Sequence, residues 1–201
     1  TEILSDAVGP ESVLCRFTTT SDVTVNPISL IAMDRSLDTR GRASLSLRFG
    51  IESAVKWQDL DLSSLRLFLH AELPTALMLH EFLTMRLVGC EVAVDGVGAV
   101  SVSPDRAVAA AGLGADEALL PADSGSFRGY ELLREYFLYP EKFLFVDITA
   151  LADAGQPSVD PSGFSVTLTF DRDFPPDKPF SAKNFRLFCT PAINLFRREA
   201  E

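Results

Sequence analysis

Hydrophobic and polar residues alternate along much of this chain with a period of two. Leu45, Leu47, Phe49 and Ile51 are separated by Ser46, Arg48 and Gly50, and Phe164, Val166, Leu168 and Phe170 by Ser165, Thr167 and Thr169. Val13, Cys15 and Phe17 alternate with Leu14 and Arg16, and Leu65, Leu67 and Leu69 repeat the pattern. Successive side chains of a strand point to opposite faces, so this spacing predicts half-buried antiparallel strands. Residues 30–32, 92–94, 100–102, 143–148 and 185–189 are further strand candidates. Asp95-Gly96, between Val94 and Val97, is expected to form a type I′ hairpin turn, which requires positive φ.

Two segments break the alternation. Pro74 suits a first helical position, and residues 75–87 then read as a helix. It is apolar on most sides (Leu77, Met78, Phe82, Leu83, Met85) and is expected to be well buried. A second helix is predicted over 126–138, with Tyr130, Leu133 and Phe137 on one face turned toward a sheet and Pro140 ending it. Many short strands with two inserted helices predict a mainly β, β-rich α+β fold: an antiparallel β-sandwich-like domain. The whole of 1–201 reads as a single domain. Residues 103–125, rich in Ala, Gly, Pro and Asp, read as a flexible insertion or loop, and 152–163 and 171–183 as exposed loops.

Composition sharpens this picture. Fifteen Phe against one Trp and three Tyr means that most rings lack a polar handle and belong in a core. A formal net charge of −10 argues against a nucleic-acid partner, which needs clustered Lys and Arg, and against an anionic membrane surface. Cys15, Cys90 and Cys189 are odd in number and widely spaced, which fits reduced, packed thiols and not a disulfide framework. No apolar run is long enough to span a membrane. The chain opens on Thr1 without Met and reads as a piece of a longer subunit.

The residues that carry chemistry form no recognisable constellation. His70 ends a strand and His80 lies in an apolar helix, with no carboxylate or Cys at metal-ligand spacing. Asp59/Asp61 and Asp171/Asp173 have the D-x-D form of cation or acid–base pairs, yet fall at strand edges and in loops where carboxylates are solvated. Gly96/Gly98 and Gly112/Gly114 lack the strand–loop–helix grammar of a phosphate cradle. The expectation is a domain without metal, cofactor or catalytic residue.

Two phrases are more specific. One is Tyr136-Phe137-Leu138-Tyr139-Pro140-Glu141-Lys142-Phe143, continuing to Phe145; the other is Pro191-Ala192-Ile193-Asn194-Leu195-Phe196. With Cys15-Arg16-Phe17-Thr18-Thr19 and residues 23–27, their order resembles the middle region of the TssF family, baseplate-wedge subunits of the bacterial type VI secretion machine. The resemblance implies a structural, non-enzymatic role in the bacterial cytoplasm at a membrane-docked baseplate. The partners it implies are TssG, TssE, TssK, a VgrG spike and a second TssF copy, beneath a contractile sheath. Read from the residues, Phe143 and Phe145 re-enter a strand as core residues, and Lys142 lays its stem on the aromatic surface with its charge in water. Pro191 breaks a strand ladder, and Asn194 satisfies backbone groups in the exit turn. Ile193, Leu195 and Phe196 form an apolar cluster in which Ile193 and Phe196 anchor a crossing into the rest of the subunit; otherwise it packs back on its own domain. The competing functional class is a carbohydrate- or ligand-binding β-sandwich accessory domain, which needs exposed aromatics on a sheet face, with Trp57 the sole indole. A hydrolase whose site assembles from dispersed residues is the third reading.

Overall fold

The computed structural model describes residues 1–120, 127–155 and 157–195. Its strands and longer helices, in chain order, are β1 (Glu2–Val8), β2 (Val13–Thr19), β3 (Ile28–Leu37), β4 (Ala43–Ile51), β5 (Leu65–Leu69), α1 (Leu73–Met85), β6 (Leu87–Val94), β7 (Gly98–Val102), β8 (Val108–Ala110), α2 (Arg128–Leu138), β9 (Phe145–Ile148), β10 (Gly163–Phe170), β11 (Phe185–Leu187) and β12 (Ala192–Ile193). The fold is α+β, dominated by antiparallel sheets with two inserted helices. The chain divides into two compact units: a larger one of Thr24–Ala111 with Leu144–Phe188, and a smaller one of Thr1–Val23, Gly112–Phe143 and the chain from Cys189 onward.

The larger unit holds a five-stranded sheet in the order β3-β4-β10-β6-β7 and a four-stranded sheet in the order β11-β5-β9-β8. Every neighbouring pair is antiparallel. β10 shows why the period-two pattern dictates the architecture. Phe164, Val166, Leu168 and Phe170 are fully buried on one face, opposite Leu45, Leu47 and Phe49 of β4. On the other face the polar residues pair across the strands, Ser44 with Thr169 at 3.2 Å and Ser46 with Thr167 at 3.1 Å. Leu65, Leu67, Leu69, Val146, Ile148 and Phe185 of the second sheet join the same core, and α1 adds Ala76, Met78, Leu79, Phe82 and Leu83.

The surplus of Phe is spent inside this core. Phe82, Phe170, Phe174, Phe180 and Phe185 form a run of stacked and edge-on rings 4.5 to 6.2 Å apart. The Arg35 guanidinium lies over Phe180 at 4.6 Å, a cation–π contact at the rim of the run. Trp57 is buried edge-on against Phe164 at 5.8 Å, so the one indole is core and not a ligand platform.

Several expectations are corrected. α1 starts two residues earlier than expected and stops at Met85, because β6 claims Leu87. Its Leu73, Leu77 and Met85 are exposed, so burial covers only one side. The β6–β7 hairpin forms at Asp95-Gly96, with the Val97 N–H donating to the Val94 carbonyl. Of the two turn residues only Gly96 has positive φ, +78°, which is type II geometry and not I′. The expected strand at 143–148 begins at Phe145, after a 3₁₀ turn over Pro140–Leu144. The 103–125 tract contains β8, paired with β9, and buries Ala107, Val108, Ala111 and Leu119; residues 121–126 lie outside the described residues.

Gly163 opens β10 where a β-carbon would overlap the Phe49 carbonyl oxygen. Backbone cannot move as a flexible side-chain tip can, so Gly163→Ala is expected to cost about 1–3 kcal/mol. The check is the urea midpoint; an unchanged midpoint would show that the start of β10 shifts freely.

In the smaller unit, β1, β2 and β12 form a three-stranded antiparallel sheet. The β1–β2 turn uses Gly9 at φ +74° and Ser12 at φ +52°, with the Ser12 N–H donating to the Gly9 carbonyl. Ile3, Leu4, Val8, Val13 and Leu14 of this hairpin are exposed.

Candidate assembly surface

α2 carries two stripes of identical helical spacing. Arg128, Glu131 and Glu135 recur at i, i+3 and i+7, and so do Tyr130, Leu133 and Phe137. Burial of apolar area alone would turn the second stripe inward. The structure does the opposite: Tyr130, Leu133 and Phe137 are 72%, 54% and 77% exposed, while Glu131 and Glu135 are buried. The expected packing of these three residues on a sheet is therefore wrong.

The cause is a buried ionic latch. The Lys142 ammonium donates to the Glu135 carboxylate, and both side chains are 1% exposed. The other Glu135 oxygen accepts the Leu119 N–H at 2.8 Å. Burial acts to raise the Glu135 carboxyl's pKa, but the Lys142 ammonium and the Leu119 and Leu120 N–H groups outweigh it and hold the group below its ordinary value. Beside this pair, Arg128 reaches the Glu131 carboxylate at 3.3 Å and the Gly114 carbonyl. Glu117 accepts the N–H groups of Gly112 and Gly114 at 2.9 and 3.0 Å. Gly112, at φ +83°, passes so close to Lys142 that a β-carbon would stand 2.7 Å from the Lys142 carbonyl oxygen. The charged face of α2 is thus tied to the 112–119 segment, and the aromatic face is left outside.

Each residue of the two phrases can now be placed. Tyr136 and Phe137 are exposed on α2. Pro140 does end the helix: it forces Tyr139 to an extended φ of −152°. Lys142 does not keep its charge in water; it is buried, 5.3 Å above the Phe143 ring, because Glu135 compensates it. Phe145 is core, 4.8 Å from Phe68. Phe143 is only half-buried, in the 3₁₀ turn beside Tyr136, so the pair does not share a strand face. The Pro191 carbonyl accepts from Thr20, and Ile193 pairs with Thr18 in the β12–β2 ladder. Asn194 and Leu195 are exposed, and the Leu195 carbonyl accepts the Thr18 hydroxyl. Phe196 lies outside the described residues. Side-chain amides bracing backbone were missed at Asn26, which both donates to and accepts from the Asp61 backbone, and at Asn184, which donates to the His70 carbonyl.

Among the described residues no side chains converge into a reactive centre. Among the described residues no group of three His, Cys, Asp or Glu could hold a metal. His80 sits in α1 with its pKa lowered by burial, and Cys90 is buried, its thiol pushed up to about 11 by burial and then by Glu91. Cys15 and Cys189 are half-buried, not core. Asp61 is occupied by Ser63, and Asp171 by Arg86 and Arg172.

Antiparallel sheets around a Phe-rich core and an outward aromatic helix define a β-rich α+β structural module. The chain belongs to the TssF family of the type VI secretion system, whose family model matches residues 1–201. It is 30% identical over 176 residues to the type VI secretion system component TssF1 of Pseudomonas aeruginosa, covering 88% of this chain and 28% of that protein. The fold is similar to a chain in the cryo-electron microscopy structure of a type VI secretion system TssK-TssF-TssG baseplate subcomplex. The TM-score is 0.87 at 30% identity, covering all of this chain and 38% of that one. The chain therefore spans well under half the length of either relative.

Proposed function

We propose that this chain is a structural portion of a type VI secretion baseplate wedge subunit. It assembles with TssG and TssK and, in the complete wedge, with TssE, a second TssF copy and the VgrG spike beneath the contractile sheath. Its place is the bacterial cytoplasm, at the membrane-docked baseplate. The observation that carries this reading is the likeness of the whole chain, at a TM-score of 0.87, to a chain solved within a TssK-TssF-TssG subcomplex. The outward aromatic face of α2 and the exposed apolar residues of β1 and β2 fit a protein whose surfaces are completed by neighbours. The ligand-binding β-sandwich reading loses its sole indole, because Trp57 is buried.

The test is co-expression of the intact subunit with tagged TssG and TssK from the same genome. The subunit is expected to co-elute with both on size-exclusion chromatography. Elution of a folded subunit by itself, with TssG and TssK together in another peak, would overturn the assignment.

A further inference from the structure

Residues 112–143 run between β8 and β9, two strands that are already partners: Ala110 stands opposite Val146, and the Ala111 N–H donates to the Phe145 carbonyl at 3.1 Å. The segment leaves and rejoins that ladder at one neck, where Gly112 passes close to the Lys142 carbonyl. The bonds that seat α2 begin and end inside the segment: Glu135 with Lys142 and Leu119, Arg128 with Glu131 and Gly114, and Glu117 with Gly112 and Gly114. Among its described residues one apolar side chain, Leu119, is buried, beside three charged ones, Glu131, Glu135 and Lys142. By contrast β10 alone buries Phe164, Val166, Leu168 and Phe170. Buried apolar area ties an element to the unfolding of the whole, whereas a desolvated ion pair adds little net stability.

We infer that residues 112–143 are a latched conformational unit: α2 and its 112–119 seat open together, as one piece, when the Glu135–Lys142 pair separates, while the larger unit stays folded. This device belongs to the fold itself and does not rest on the baseplate reading. Sub-global openings follow contiguous pieces with few buried apolar contacts, which describes this segment. β8 and β9 hold its two ends together, so opening breaks none of that ladder and reclosing costs little chain entropy. The pieces move together because they share bonds. Separating Glu135 from its seat takes the acceptor from the Leu119 N–H as well as the partner from Lys142, and moving Arg128 frees the Gly114 carbonyl. Opening also breaks the helical alignment of Tyr130, Leu133 and Phe137. The latch therefore sets when the aromatic face exists as an ordered surface.

Native-state hydrogen exchange of the intact wild-type subunit, read by mass spectrometry in increasing urea below its unfolding transition, tests this. Amides of α2 and of 113–119 are expected to share one opening that steepens with urea, while those of β4 and β10 stay protected. Exchange of α2 only together with β10 would overturn the inference, because the segment would then open only with the core. Exchange of β2 in the same step would overturn it too, since the opening piece would not end at the Gly112–Lys142 neck. Glu135→Gln keeps the size of the side chain and removes its charge. It is expected to raise exchange in α2 and in 113–119 by the same factor, roughly a hundredfold or more, and to leave β4 and β10 unchanged. Unequal factors in the two stretches would show that they do not open as one piece. Should the variant fail to fold, the wild-type urea series still decides the matter.

Discussion

Replacing Glu135 by alanine is expected to destabilise the smaller unit by about 3–5 kcal/mol, because it leaves the Lys142 ammonium buried without its partner. The Leu119 N–H loses its acceptor in the same step. The effect should appear as a lower urea midpoint and as faster amide exchange along α2 and around Leu119. Replacing both partners, Glu135→Met with Lys142→Met, removes two desolvated charges at once and is expected to recover most of the loss. Acid should reproduce the single variant. The folded-state pKa of Glu135 lies below the ordinary 4.5, so its contribution is fully present above that value and is lost as pH falls through the lower folded value. The double Met variant should lack that component of acid sensitivity. A Glu135→Ala protein with unchanged midpoint and exchange would show that the latch does not hold the helix.

What was legible in the sequence, and what was not, follows from the range of the interactions involved. β4 and β10 declare themselves because one face of each is buried along its whole length, and a one-residue slip would put Ser46 or Thr167 into the core. β1 was missed because Glu2–Val8 buries neither face, so nothing imposes alternation on it. β8 was missed because three small or branched residues in an Ala- and Gly-rich tract become a strand only through pairing with β9, where Val108 stands opposite Ile148, forty residues on. α2 was found, but its orientation was not. Two stripes with the same spacing compete, and the charged one wins because Lys142 and Leu119 supply partners from beyond both ends of the helix. A signal was present: Arg128, Glu131 and Glu135 share one face, and a Lys follows just past Pro140. Hydrophobicity alone gives such a cluster to solvent. A buried ion pair reverses that assignment only when its desolvation is matched by hydrogen bonds, which a helical pattern does not reveal.

Phe164→Ala is expected to have an effect of similar size in the larger unit. The ring is fully buried near the start of β10, stacked on Phe49 at 5.0 Å and met edge-on by Trp57 at 5.8 Å. Its removal costs the transfer energy of the ring and leaves a cavity between two aromatic neighbours held by the β4–β10 ladder. The cost should be about 3–5 kcal/mol, a large part of the stability of an ordinary domain. Trp57 is the sole indole, so its fluorescence reports unfolding of this unit directly. The variant's denaturation curve should shift to markedly lower urea. Phe137→Ala, the same change on the outer face of α2, removes a ring that is 77% exposed and should leave the Trp57 transition within about 0.5 kcal/mol of wild type. Equal effects of the two changes would contradict the burial pattern on which both the core and the assembly surface are drawn. A large effect of Phe164→Ala with a silent Phe137→Ala separates the residues that build the fold from those that the fold holds out for a neighbour.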